Sequence, residues 1–105
     1  MSAEQFLYMT STGWKSGKSH EIEIWYVEYE GCYYIVAEHR ERAHWVQNVE
    51  HNPVISVRVG EVQFEGRGRS IRPETEPDKA AAITALMDAK YGWSDGLIVE
   101  LCPEA

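Results

Sequence analysis

The residues best suited to chemistry crowd into one stretch, Thr10-Ser11-Thr12-Gly13-Trp14-Lys15-Ser16-Gly17-Lys18-Ser19. Glycines let backbone N–H groups approach a ligand, hydroxyls donate hydrogen bonds and two lysines add positive charge, so the stretch has the chemistry of an anion cradle. It resembles a nucleotide P-loop only superficially. Three residues separate Gly13 from Gly17 where a P-loop has four, and a helix would have to come next. The next residues, His20-Glu21-Ile22-Glu23-Ile24-Trp25-Tyr26-Val27, have a period of two and read as a strand. The stretch is therefore expected to be a loop between strands.

Elsewhere the signals are weaker. Eight of the ten Lys and Arg lie between Lys15 and Arg72. Gly66-Arg67-Gly68-Arg69-Ser70-Ile71-Arg72 holds three arginines and no acid. Such a run suits a small anionic ligand or, equally, ion pairs with the chain's many glutamates. Cys32 and Cys102 sit in separate apolar runs and are expected to be buried free thiols. His20, His39, His44 and His51 show no metal-ligand spacing, and no metal site is expected. No nucleophile with a paired base is visible. Tyr26, His44 and Tyr91 are proton-donor candidates by residue type only, and Trp25, Trp45 and Trp93 are aromatic candidates for a pocket wall, Trp93 reading more simply as core.

The scaffold for these residues can be read from the hydrophobic pattern. The 105 residues make one domain, 1–105, and 44% hydrophobic content with four tryptophans describes a folded globule. A formal charge of −7 speaks against nucleic acid or an anionic membrane as partner. No apolar run is long enough to span a bilayer and no leader pattern opens the chain, so a cytoplasmic protein is expected.

Strands are expected over 5–9, 20–29, 32–37, 54–59, 62–71 and 97–102. Glu30-Gly31 and Gly60-Glu61 would be tight turns. A short helix is expected from Glu38 to Asn52, stopped by Pro53. A longer one should run to about Tyr91, begun by Pro77 with Thr75 and Asp78 as a capping box and ended by Gly92. The fold class is mainly β (α+β): a six-stranded antiparallel barrel with one short and one longer helix.

Several of these pieces occur in a familiar order: Thr12-Gly13-Trp14-Lys15-Ser16-Gly17-Lys18, then Trp25-Tyr26-Val27, Tyr33-Tyr34-Ile35-Val36-Ala37, Trp45-Val46-Gln47-Asn48 and Asn52-Pro53-Val54-Ile55-Ser56-Val57. The chain thereby resembles the deazaflavin-dependent nitroreductase family, flavin- and deazaflavin-binding split β-barrels related to pyridoxamine 5'-phosphate oxidases. The resemblance implies a split barrel holding a deazaflavin coenzyme, or alternatively FMN. It implies an oxidoreductase that passes a hydride to a conjugated small-molecule acceptor such as a quinone or nitroaromatic. A non-catalytic binder of a cofactor or small anion is the remaining alternative. By motif match, Lys15, Ser16 and Gly17 would contact the cofactor phosphate, with Thr12 and Gly13 in the same loop. Trp45 and Asn48 would lie beside the cofactor, and Ala37 would turn its backbone to the ring. A homodimer with the cofactor between subunits is also implied.

The sequence departs from the family pattern in a shorter stretch between Ala37 and Trp45 and at several motif positions. Trp14 stands for an arginine, Ser19-His20 for a proline–arginine pair, and Glu23 for a proline beside the ring. Two lost guanidiniums remove bidentate phosphate contacts, for which Arg40, Arg42, Arg67 or Arg69 are candidate replacements.

Overall fold

The computed structural model describes residues 6–104. In chain order the elements are β1 (Phe6–Thr12), β2 (Ser19–Trp25), β3 (Val27–Tyr29), β4 (Cys32–Ala37), a 3-10 turn (Arg40–Arg42), α1 (His44–His51), β5 (Val54–Val59), β6 (Val62–Ile71), α2 (Pro77–Tyr91) and β7 (Leu97–Pro103). All strand pairs are antiparallel, and the order across the sheet is β2-β1-β5-β6-β7-β4-β3. The sheet curls into a half-barrel that brings β2 alongside β4.

There are seven strands among the described residues, not the expected six, because the run 20–29 breaks at Tyr26. β2 pairs with β1 at one end of the sheet, and β3 pairs with β4 at the other. At the break, α2 supplies the missing ladder partners. The Tyr91 hydroxyl accepts from the Tyr26 N–H (3.1 Å) and donates to the Tyr26 carbonyl (2.6 Å), which also accepts from Lys90 Nζ (3.1 Å). Backbone groups that leave a ladder need such substitutes.

β1 runs through Thr12, so the expected ten-residue loop shortens to 13–18. Thr10, Ser11 and Thr12 pair with Glu21, His20 and Ser19, in keeping with the strand preference of β-branched threonine. The helix expected over 38–52 begins only at His44, after the 3-10 turn. The capping box is absent. Glu76 is the N-cap without a side-chain bond, and Thr75 Oγ1 instead donates to the Arg72 carbonyl (3.3 Å). Pro77 and Gly92 act as expected, Gly92 taking the left-handed conformation (φ 70°).

Two apolar clusters flank the sheet. One fills the barrel, with Leu7, Met9, Ile35, Val57, Val99 and Leu101, and Val46 and Val49 of α1 close it. The other lies under α2, where Tyr34, Val36 and Ile98 meet Ile83 and Met87. β4 is thus buried on both faces, which is why its sequence is a continuous apolar run.

Cys32 and Cys102 are a disulfide (Cα–Cα 4.5 Å), correcting the free-thiol expectation. They follow the Tyr33–Leu101 pair in the β4–β7 register, which nothing in their 70-residue separation reveals. Gly66 and Gly68 do mark close approach. A Cβ on Gly66 would lie 2.0 Å from the Cys102 carbonyl oxygen, and one on Gly68 2.8 Å from a Val49 methyl.

Candidate functional site

The loop 13–18 is a closed turn. Gly13 N–H donates to the Lys18 carbonyl (2.7 Å), Gly17 N–H to the Gly13 carbonyl (2.8 Å), and Lys18 N–H to Ser16 Oγ (3.2 Å). Gly17 has φ +73°, a conformation that glycine adopts without strain. Trp14 N–H donates to Oδ1 of the buried Asn48 (3.2 Å), and the Trp14 ring stacks on His51 at 4.0 Å and 9°. Four loop amides are therefore already bonded within the protein, which narrows the cradle expected from the glycines. What remains is cationic side chain. Lys15 and Lys18 are exposed and make no ion pair among the described residues; Lys15 Nζ lies 5.0 Å from the Trp14 ring centre.

The arginines fare differently. Arg40 pairs with Asp95 (2.9 Å) and Arg67 with Glu104 (3.7 Å). Arg69 holds both Glu76 (2.6 Å) and Glu100 (2.9 Å). Arg72 pairs with Glu41 and with Glu50 (3.1 Å). Of the four arginines named as replacements for the missing guanidiniums, only Arg42 makes no ion pair among the described residues.

Beside this loop, across α1, is a cleft of about 570 Å³ at the seam where β2 meets the end of β4. Its apolar walls include Trp25, Ala37, Trp45 and Trp93, with Phe6 and Met87. Its polar lining is Glu23, Glu38 and His39. Trp25 and Trp93 stand edge to face (6.3 Å, 69°), and Trp25 is backed by Tyr91, stacked at 4.5 Å. Trp45 lines the cleft and Asn48 anchors the loop. They lie three residues apart on α1, a rise of about 4.5 Å, so one helix connects the two halves of the site.

Ala37 and Trp45 therefore meet in the cleft, while Thr12, Gly13, Lys15, Ser16, Gly17 and Asn48 gather at the loop. Of the proton-donor candidates, Tyr91 stacks behind Trp25 without lining the cleft, and the other two do not line it either. Tyr26 is buried and lines a separate groove of about 450 Å³ with Glu28, Tyr33 and Glu61. Lys90 lies over its ring at 4.2 Å. His44 is exposed at the start of α1 and is absent from the cleft lining.

Two residues that the sequence names without a role of their own gain one in the fold. The Glu23 carboxylate in the cleft accepts a hydrogen bond from Tyr8 (2.5 Å). That bond, with the nearby negative charge, raises the Tyr8 phenol above its ordinary value. Ser11 is buried at the base of the loop, and its Oγ has no hydrogen-bond partner among the described residues. The sequence does carry a signal for Ser11: it continues the inward positions of Leu7 and Met9, where a polar residue is out of place.

The donor set fits an anionic, phosphate-bearing cofactor with an aromatic ring. Two lysines without an ion pair and the Ser11 hydroxyl without a hydrogen bond, in each case among the described residues, lie with the Ser16 hydroxyl at one end of α1, and an aromatic cleft lies at the other. Among the described residues, the only cluster with a metal-like donor set is Cys32, Cys102 and Glu100; its two thiols are joined to each other and its carboxylate is fully engaged.

Comparison with known proteins agrees. Residues 1–95 match the family described as F420H(2)-dependent quinone reductase. Among curated proteins none matches the chain in sequence. Similar solved structures include the heme storage protein HutZ from Vibrio cholerae (TM-score 0.79, 15% identity, 97% of this chain and 83% of that one). A pyridoxamine 5'-phosphate oxidase-type protein from Listeria innocua has TM-score 0.73 at 14% identity, over 96% and 85% of the two chains. An F420-H2 dependent reductase, FDR-A, has TM-score 0.63 at 24% identity, over 92% and 93%. These are likenesses of fold.

Proposed function

This chain belongs to the F420H(2)-dependent quinone reductase family, and from that premise we propose that it is an oxidoreductase that reduces a conjugated small-molecule acceptor, a quinone or nitroaromatic, with the reduced deazaflavin coenzyme. The observation that carries the reading is the coupling, through α1, of an aromatic cleft to a loop whose lysines have no carboxylate partner among the described residues.

Bound deazaflavin would supply the hydride, and the protein supplies binding, orientation and field. Lys15, Ser16 and Lys18 would hold the phosphate arm by charge and hydrogen bonds. Asn48 keeps the loop seated through the Trp14 amide, and stacking on His51 fixes the Trp14 ring. Trp45 and the Ala37 backbone would position the ring against β4. Trp25 and Trp93 would wall the acceptor space and exclude water from it. Lysine, unlike arginine, grips phosphate as a point charge, so the site should tolerate variation in how the arm enters.

A homodimer completes this reading. The cleft opens at the surface, and Phe6 on its edge is 40% exposed. A second copy could cover that opening; sedimentation at micromolar concentration should show a dimer.

The direct test is titration of the purified protein with the deazaflavin coenzyme and with FMN, followed by tryptophan fluorescence, then turnover with a naphthoquinone. Quenching by deazaflavin at micromolar concentration, weaker quenching by FMN, and acceptor-dependent oxidation of the reduced coenzyme are expected. Binding without turnover would make the protein a carrier, and no binding would rule out the loop and cleft as a cofactor site.

A further inference from the structure

Resting on the reductase reading, we propose that the cleft selects acceptors that carry a positive charge: flat, conjugated organic cations rather than neutral or anionic quinones. Trp25 and Trp93, set at 69° with ring centres 6.3 Å apart, form two walls of a corner. Indole faces attract cations through their quadrupole, and although Tyr91 covers one face of Trp25, indole surface that remains in the cleft favours a quaternary or aromatic ammonium.

The charges in the cleft agree. Glu23 and Glu38 line it, and neither makes an ion pair among the described residues. Among the described residues the bond to Glu23 is the Tyr8 hydroxyl, which orients the carboxylate without neutralising it. Arg58, which lies over the Tyr8 ring at 4.2 Å, is paired with Glu21 instead (3.8 Å). Among the described residues no lysine or arginine lines the cleft, and Arg40 just beyond His39 is held by Asp95. Elsewhere Glu41, Glu50, Glu76, Glu100 and Glu104 have cationic partners. Two unneutralised carboxylates beside aromatic faces repel an anionic acceptor and attract a cationic one, and the net charge of −7 adds the same bias at long range.

The site is then polar along its length. The lysine loop takes the anionic end of the cofactor, and the carboxylate-lined cleft takes the cationic acceptor. This separation keeps the acceptor from competing for the loop, since a cation is repelled there.

The test compares three naphthoquinones alike in size: one bearing a trimethylammonium group, one neutral and one bearing a sulfonate. For each, the dissociation constant is read by tryptophan quenching without deazaflavin, and kcat/KM with it. The cationic compound should exceed the sulfonate by about tenfold or more in both measures, the size expected of one to two carboxylates in a partly solvated cleft. Glu23→Gln and Glu38→Gln should each shrink that ratio, and together reduce it to near one. Equal affinities for the three, or a preference for the sulfonate, overturns the proposal. Charge-selective binding with no turnover of any acceptor leaves the selectivity standing and overturns the reductase reading. Turnover without charge preference does the reverse. The two variants stand on different elements, so if one does not fold the other still decides.

Discussion

Strand β6 and its exit carry Arg67, Arg69 and Arg72, and the loop between β1 and β2 carries Lys15 and Lys18. In the sequence both are cationic stretches set among glycines. In the fold they are opposites. Every arginine of the β6 strip already has a carboxylate, and at its centre the buried Glu100 accepts from Tyr34 (2.7 Å), Arg69 (2.9 Å) and Lys79 (2.9 Å). The disulfide stands next to it, Cys102 lying opposite Arg67 in the β6–β7 register. The loop cations have no such partners among the described residues. Charge marks a candidate site where the fold leaves it unsatisfied, and scaffold where the fold consumes it.

The sharpest way to break this contrast is through the strip's covalent tie. Reducing the Cys32–Cys102 disulfide should lower unfolding stability by about 4 kcal/mol, as expected for a loop of this length, with coenzyme affinity in the folded fraction unchanged. Denaturant titration with and without reductant measures this. An equal loss of affinity would show that strip and loop are not independent.

Glu100→Ala comes next. It leaves the Arg69 and Lys79 charges and the buried Tyr34 hydroxyl without their shared acceptor, and should cost about 3 kcal/mol. The same cluster sets the pH range of stability. Hydrogen bonds from Tyr34, Lys79 and Arg69 outweigh desolvation and hold the Glu100 carboxyl below its ordinary value of 4.5. The unfolded chain therefore takes up the proton first, and stability falls as pH drops below about 4.5. The Tyr34 phenol is raised well above its ordinary 10.0, chiefly by burial and then by Glu100. The unfolded chain loses that proton first, so stability also falls as pH rises past about 10. Melting temperature against pH should show both limbs, and Glu100→Ala should flatten the acid one.

At the loop the expectation is reversed. Lys15→Ala and Lys18→Ala should each weaken coenzyme binding by about 1–3 kcal/mol and leave the melting temperature unchanged. Arg69→Ala should do the opposite. Unchanged affinity in both lysine variants would end the phosphate assignment. The smallest effect belongs to Asn48→Ala, which removes the anchor of the Trp14 amide. A loss of about 1 kcal/mol in coenzyme binding is expected, with a red shift in tryptophan emission as Trp14 leaves its seat on His51.

Much of the fold is legible in the chain. Alternation in β1, β5 and β6, the Gly60 turn, Pro77 and Gly92 all act through local sterics, and local sterics are written residue by residue. The break at Tyr26 is not legible, because the period of two runs through it unchanged and the groups that relieve it, Lys90 and Tyr91, come from α2. The disulfide is hidden for a similar reason, and it weighs against the expected cytoplasmic location, since most cytosols keep thiols reduced. No helix among the described residues is long and apolar enough to cross a membrane.

The candidate site divides the same way. The loop, its lysines, the aromatic residues and the family can all be read from the chain, because residue type and order carry them. Three things required the folded molecule: that the arginines of β6 are engaged while the lysines make no ion pair among the described residues, that Tyr26 and His44 are not part of the cleft lining, and that Glu23, Glu38 and three tryptophans share it. Whether a charge is free or neutralised depends on partners tens of residues away, and chain folding alone sets those distances.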